Sequence, residues 1–200
     1  SHQEVENAID SGEMVLRYQP KVERNSGAEW LTREAEALIR WQHPERGLLQ
    51  PDAFLRVAEE TGLIQPIGEW VLRTACAQLK AWSGQGMPAM RIAVNISARE
   101  LLHGHLVDRI RDAVTGVGLA RAELSLDLEI TENLQRAGEP VLQALGELRD
   151  LGIGVCIDDF GTGYSSLNLL RHLPVDTLKI DKSFMSDIDR DADIRSVVQG

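Results

Sequence analysis

The chain has 200 residues, 43% hydrophobic, 26% charged and 4% aromatic, with a formal net charge of −10. That length fits one domain or a piece of one and is enough to bury a core; no apolar run approaches the ~18 residues of a membrane span, and the polar start does not read as a signal peptide. The acidic balance repels long nucleic acid, and two cysteines without metal-ligand spacing, Cys76 and Cys156, read as reduced core thiols.

In chain order, extended and helical segments alternate. A first extended segment covers residues 15–22 and a second 35–41. His43-Pro44 shapes the loop that follows the second. Pro51-Asp52 opens a helix over 54–60, and apolar residues at helical spacing predict another over 67–82. An extended segment follows at 91–97. Ser97 and Glu100 then form a capping box that opens a helix over 101–117. The pattern continues with strands at 124–131, 153–160 and 177–181, and helices at 140–151, 164–173 and 193–199. Strands separated by helices of ten or more residues imply parallel βαβ units.

Two architectures compete, an open doubly wound sheet and a (β/α)₈ barrel. Strands buried in an open parallel sheet read as continuous apolar runs. Here they alternate. Ile92, Val94 and Ile96 oppose Arg91, Ala93, Asn95 and Ser97; Leu124, Leu126, Leu128 and Ile130 oppose Ser125, Asp127, Glu129 and Thr131; Leu178 and Ile180 oppose Thr177, Lys179 and Asp181. Successive side chains point to opposite faces of a strand, so an apolar face meets helices and a polar face looks elsewhere. A barrel whose strand ends carry polar groups to a mouth explains this.

The polar faces collect Glu36, Arg40, Asn95, Glu129, Asp158, Lys179 and Asp181, with Asp159 directly after Asp158. Asp127 shares the face of Glu129 but lies two residues deeper and is not included. Like charges gathered this way need compensation. All-oxygen donors suit Mg²⁺, Mn²⁺ or Ca²⁺ better than Zn²⁺, and the adjacent Asp158 and Asp159 can serve two ions. Paired ions activate water and hold a phosphate for in-line displacement. Other motifs carry less. Asp159-Phe160-Gly161 lacks the remaining parts of a kinase site. His103 and His105, two apart on a helix, diverge. The four tryptophans read as packing residues.

The ordered motifs Tyr18-Gln19-Pro20, Glu36-Ala37-Leu38-Ile39-Arg40-Trp41, Val94-Asn95-Ile96-Ser97, Leu128-Glu129-Ile130-Thr131-Glu132, Asp158-Asp159-Phe160-Gly161-Thr162-Gly163-Tyr164-Ser165-Ser166 and Leu178-Lys179-Ile180-Asp181 resemble the EAL domain family, the bacterial cyclic-di-GMP phosphodiesterases. The resemblance divides the chain into a lead-in helix or linker (1–11) and an EAL domain (12–200). It implies an α/β fold, a modified (β/α)₈ TIM-type barrel with an antiparallel first strand. The family pattern continues for two further strands, so the barrel is expected to be truncated before them. Glu34 stands where the family usually has glycine.

The implied activity is hydrolysis of cyclic di-GMP to linear 5'-pGpG with Mg²⁺ or Mn²⁺, two ions, and with Ca²⁺ inhibitory. By resemblance, Glu36, Asn95, Glu129 and Asp158 match the ligands of one metal, and Asp158 with Asp159 the ligands of the second. Lys179 matches the lysine that positions the attacking water, and Asp181 its partner beside the substrate. Gln19, Leu38 and Arg40 match substrate-lining positions. Phe160, Gly161, Thr162, Gly163, Tyr164, Ser165 and Ser166 match a loop that couples the metal site to a dimer interface. The catalytic set is then Glu36, Asp158 and Lys179. A homodimer, linkage to a GGDEF or sensory domain, and a cytoplasmic location, free or as part of a membrane-anchored protein, are further expectations. The alternative is an inactive EAL domain that acts as a cyclic-di-GMP receptor or protein-interaction module.

Overall fold

The computed structural model describes residues 2–24, 30–86, 90–97, 100–101, 105–121, 124–130, 138–160 and 174–180. Residues 161–166, Asp181 and the helices expected at 164–173 and 193–199 lie outside this set, as do the side chains of Asp159 and Phe160.

The chain begins with helix α1 (His2–Asp10), then pairs strand β1 (Met14–Arg24) with β2 (Trp30–His43) in an antiparallel ribbon. On β2 the small and apolar residues Ala35, Ala37 and Trp41 are buried, while Glu36, Leu38 and Arg40 lie on the other face, half-buried. Trp41 packs edge-on against Phe54 at 5.8 Å and donates its Nε1–H to Glu13 Oε2 at 2.8 Å, tying the start of β1 to the end of β2. A short strand, β3 (Gly47–Leu49), turns back on β2. His43 Nδ1 accepts hydrogen bonds from the backbone N–H groups of Glu45 and Arg46, at 3.1 and 3.2 Å, so it shapes this loop as expected.

After a 3₁₀ turn (Pro51–Ala53) come helices α2 (Leu55–Thr61) and α3 (Ile64–Gly84). Pro66 lies in the first turn of α3, where a missing N–H breaks no helical bond. Two βα units and two further strands complete the described pattern: β4 (Arg91–Ile96), α4 (Leu106–Gly116), β5 (Leu126–Ile130), α5 (Glu139–Asp150), β6 (Gly154–Phe160) and β7 (Thr177–Ile180). The strand order is β1-β2-β4-β5-β6-β7, with β3 on the side of β2. The first pair is antiparallel, and every step from β2 to β7 along that path is parallel.

One core joins the elements. Ile92, Val94 and Ile96 of β4 and Leu126, Leu128 and Ile130 of β5 are buried with Leu72 and Ala75 of α3, Ile110 of α4 and Leu145 and Leu148 of α5. Val5 and Ala8 of α1 belong to the same core. The alternation read from the sequence therefore separates a helix-facing apolar side of the sheet from a polar side.

The helix expected over 101–117 is broken. Glu100 and Leu101 are helical, but His105 is not (φ −116°, ψ 7°) and acts as the cap from which α4 starts. In the sequence His105 is preceded by glycine, a weak helix former. The capping box itself is formed: Ser97 N–H donates to Glu100 Oε2 at 3.2 Å and Glu100 N–H to Ser97 Oγ at 3.3 Å. Glu100 also receives Arg109 of α4 at 3.4 Å, and Gly68 of α3 lies so close that a Cβ there would sit 2.1 Å from Glu100 Oε1. The residue is buried, and burial raises its pKa more than Ser97 and Arg109 lower it.

Candidate functional site

The polar side of the sheet is assembled by register. Gln19 of β1 pairs with Glu36 of β2, Glu36 with Ala93 of β4, Asn95 of β4 with Glu129 of β5, and Glu129 with Cys156 of β6. Asp158 lies two residues beyond Cys156 and so on the same side. Cys156 pairs with Thr177 of β7, which sets Lys179 beside it. Five adjoining strands thus deliver Glu36, Asn95, Glu129, Asp158 and Lys179 to one face.

The side chains meet. Asn95 Nδ2 donates to Glu36 Oε1 at 2.8 Å, joining β4 to β2. Glu129 is 1% exposed and lies between two lysines. Lys179 Nζ donates to its Oε2 at 2.5 Å and reaches Asp158 Oδ2 at 3.7 Å. Lys21 Nζ of β1 donates to Glu129 Oε1, and also to Glu34 Oε1 at 2.5 Å. Burial alone would raise the Glu129 pKa. The hydrogen bonds from Lys179 and Lys21 outweigh it and hold the carboxyl below its usual range. Partial burial lowers the Lys21 pKa, but Glu129 and then Glu34 lift the ammonium above its usual range.

These contacts require a curled sheet. Lys21 on β1 and Glu129 on β5 stand three strands apart. On a flat sheet they would be separated by three spacings of roughly 4.8 Å across the strands and, because Lys21, Glu34 and Arg91 are level in the register while Glu129 lies three positions beyond Leu126, the partner of Ile92, by about 13 Å along them as well, farther than a lysine and a glutamate reach together. Lys179 arrives from the other end of the strand order. It reaches the same carboxylate from two strands away, on the side opposite Lys21.

Deeper on the same side, Arg91 Nε donates to Asp127 Oδ2 at 2.7 Å and its Nη2 to Oδ1. Asp127 is thus engaged below the rim. Gly154 of β6 faces this pair, and a Cβ there would stand 1.9 Å from Asp127 Oδ1. Cys156 is buried on the rim side, where burial pushes its thiol up to about 11, so at neutral pH it offers no thiolate.

Of the remaining expected residues, Gln19 is exposed and Leu38 and Arg40 are half-buried on the face of Glu36. Arg40 Nη1 donates to the carbonyl of Ile39 at 2.7 Å. The backbone of Asp159 belongs to β6, and the pairing of β6 with β7 shifts by one residue between Ile157 and Phe160, at the two aspartates. Among the described residues, no three His, Cys, Asp or Glu converge as a ready metal cluster. Sequence reading did not single out Lys21 as part of the site. Its signal was modest: it lies two residues from Gln19, on the same face of β1, opposite the unusual Glu34. No helix among the described residues is long and apolar enough to cross a membrane.

The family model described as EAL domain matches residues 2–200. The bifunctional diguanylate cyclase/cyclic di-GMP phosphodiesterase MucR of Pseudomonas aeruginosa is 43% identical over 196 residues, which cover 98% of this chain and 28% of MucR. The cyclic di-GMP phosphodiesterase NbdA of the same species is 42% identical over 200 residues, covering 98% of this chain and 25% of NbdA. The chain therefore spans less than a third of the length of these relatives. A solved structure of PaMucR phosphodiesterase in a c-di-GMP complex matches with a TM-score of 0.82 at 41% identity, over 98% of this chain and 78% of that one.

Proposed function

The chain belongs to the EAL domain family, and from that premise we propose that it hydrolyses cyclic di-GMP to linear 5'-pGpG with divalent metal ions. The observation that carries the proposal is the convergence of Glu36, Asn95, Glu129, Asp158 and Lys179 from five adjoining strands on one face.

The donor set fits hard cations. Its rim groups are carboxylates and one amide oxygen, suited to Mg²⁺ or Mn²⁺. Glu129, although buried, remains an anion that draws in two ammonium groups. Glu36, Asn95, Glu129 and Asp158 would hold one ion, and Asp158 with Asp159 a second. The register shift at Asp158-Asp159 supports this, because a bulge breaks strict alternation and re-aims side chains near sites. When bound, the ions neutralise phosphate charge and acidify water.

The chain's own residues do the rest. Lys179, between Glu129 and Asp158, orients the attacking water. Asn95 fixes Glu36 through the hydrogen bond its amide N–H donates. Gln19, Leu38 and Arg40, beside Glu36 on the β1–β2 ribbon, line the dinucleotide, with Asp181 beyond β7. Water oxygen joins phosphorus, the P–O3' bond breaks, and the 3' oxygen takes a proton. The curled sheet supports a (β/α)₈-type barrel with an antiparallel first strand. Residues 12–200 form the domain, with α1 docked on its core. Residues 160–166 couple the metal site to a second copy of the chain. The chain works in the cytoplasm, joined to a cyclase or sensory domain, in keeping with relatives several times its length.

Incubation with cyclic di-GMP and Mn²⁺, followed by chromatography, tests the reading. The chain should yield pGpG, while Glu36→Ala and Asp158→Ala should lower the rate by about a thousandfold or more. Undiminished product from either variant contradicts it. One observation favours the receptor reading: among the described residues, both oxygens of Glu129 are already satisfied by lysines. Calorimetric binding of cyclic di-GMP without pGpG would select it.

A further inference from the structure

Lys21 is tied to two acids at once. Its Nζ lies 2.5 Å from Glu34 Oε1 and also binds Glu129 Oε1. Lys21 and Glu34 are direct partners across the antiparallel β1–β2 ribbon, next to a register shift between Lys21 and Val22. Glu129, by contrast, comes from β5 across the curled face. Beneath these groups lies a cavity of about 530 Å³ lined by Lys21, Glu34, Arg91, Asp127 and Lys179 among others. The ammonium therefore has open space beside it and a second acid within reach.

Glu129 cannot be left bare, since a buried carboxylate without a cation is strongly destabilising. A lysine that supplies that cation also opposes any other cation at the same oxygen. We propose that Lys21 is a positioning residue that serves as the resident counter-cation of Glu129 and withdraws to Glu34 when a divalent ion takes the carboxylate, so that the Lys21–Glu34 pair sets the metal affinity of the site. This rests on the reading of Glu129 as a metal ligand. Glu34 supplies the parking place. Without it, Lys21 has only Glu129 to bind among the described residues.

The consequence is a pair of substitutions with opposite signs. Lys21→Met removes the competitor, and Mn²⁺ should bind about tenfold more tightly. Glu34→Gln leaves Lys21 fully on Glu129, and Mn²⁺ should bind several-fold more weakly. Isothermal titration of the substrate-free chain with MnCl₂ measures both, independently of turnover. In the double variant, the effect of Glu34→Gln should shrink to less than about twofold, because its partner is gone. The metal-free melting temperature should fall in Lys21→Met, and the upward shift on adding Mn²⁺ should exceed that of the unsubstituted chain. A purely structural pair would weaken Mn²⁺ binding in both variants, and that result overturns the proposal. So does Mn²⁺ binding that is lost in Asp158→Ala but unchanged in Lys21→Met and Glu34→Gln; in that case the metal reading stands and the Lys21 assignment falls. No Mn²⁺ binding by any of the proteins refutes both.

Discussion

Glu129 shows how one residue carries several demands. It is nearly inaccessible to water, yet its carboxyl stays ionised because Lys21 and Lys179 occupy its two oxygens. Its pKa is lowered on folding, so the unfolded chain binds its proton more readily. The stability it contributes is therefore fully present above the usual carboxylate range and is lost as pH falls through the folded-state value. Urea unfolding at pH 7 and pH 4 checks this: Glu129→Gln should show a smaller acid loss than the unsubstituted chain. An equal loss in both removes Glu129 as the cause. At pH 7, Glu129→Ala should destabilise by about 2–3 kcal/mol, below the 3–5 typical of a fully buried pair because both lysines are part exposed.

Period-2 alternation made Glu36, Asn95, Glu129, Asp158 and Lys179 legible in the sequence, since each faces away from apolar neighbours that the helices cover. Lys21 was not legible by that route. Its partner lies three strands away, and only the curvature of the sheet brings them together. Alternation ranks faces; it does not say how strongly a sheet bends.

At the scale of elements, local signals were sound where short-range chemistry decides. The Ser97–Glu100 box formed because both partners lie within one turn. Ser97→Ala should cost about 1 kcal/mol in chemical unfolding, with an unchanged value contradicting the cap. The helix after it was read as too long, because apolar periodicity ran on through His103-Gly104-His105 while the backbone at His105 is non-helical. Strand β3 was missed, being three residues long and set by the turn at Pro44 and Gly47 rather than by any periodicity. Close approach also fixes Gly154, whose missing side chain leaves room for Asp127 beneath Arg91. Gly154→Ala should destabilise the fold by about 1–3 kcal/mol. In the Asp127→Ala background the same substitution should be nearly neutral, and a full penalty there would contradict the clash.

At the scale of the molecule, the sheet places its polar side under a rim and its apolar side under the helices, with α1 packed into the same core. The parallel order from β2 to β7 followed from the alternation of strands and helices, and the antiparallel β1 from the family resemblance; both are present. Register gathers the acids on one face, and curvature completes the site by bringing Lys21 of β1 to the β5 carboxylate that Lys179 of β7 also binds. Crystals of the chain soaked with Mn²⁺ and cyclic di-GMP, measured at the manganese absorption edge, test this most directly. Anomalous peaks bonded to Glu36, Asn95, Glu129 and Asp158, with a phosphate of the dinucleotide against them, are the predicted result. Manganese bound elsewhere, with those four side chains turned to different sides of the protein, would contradict it.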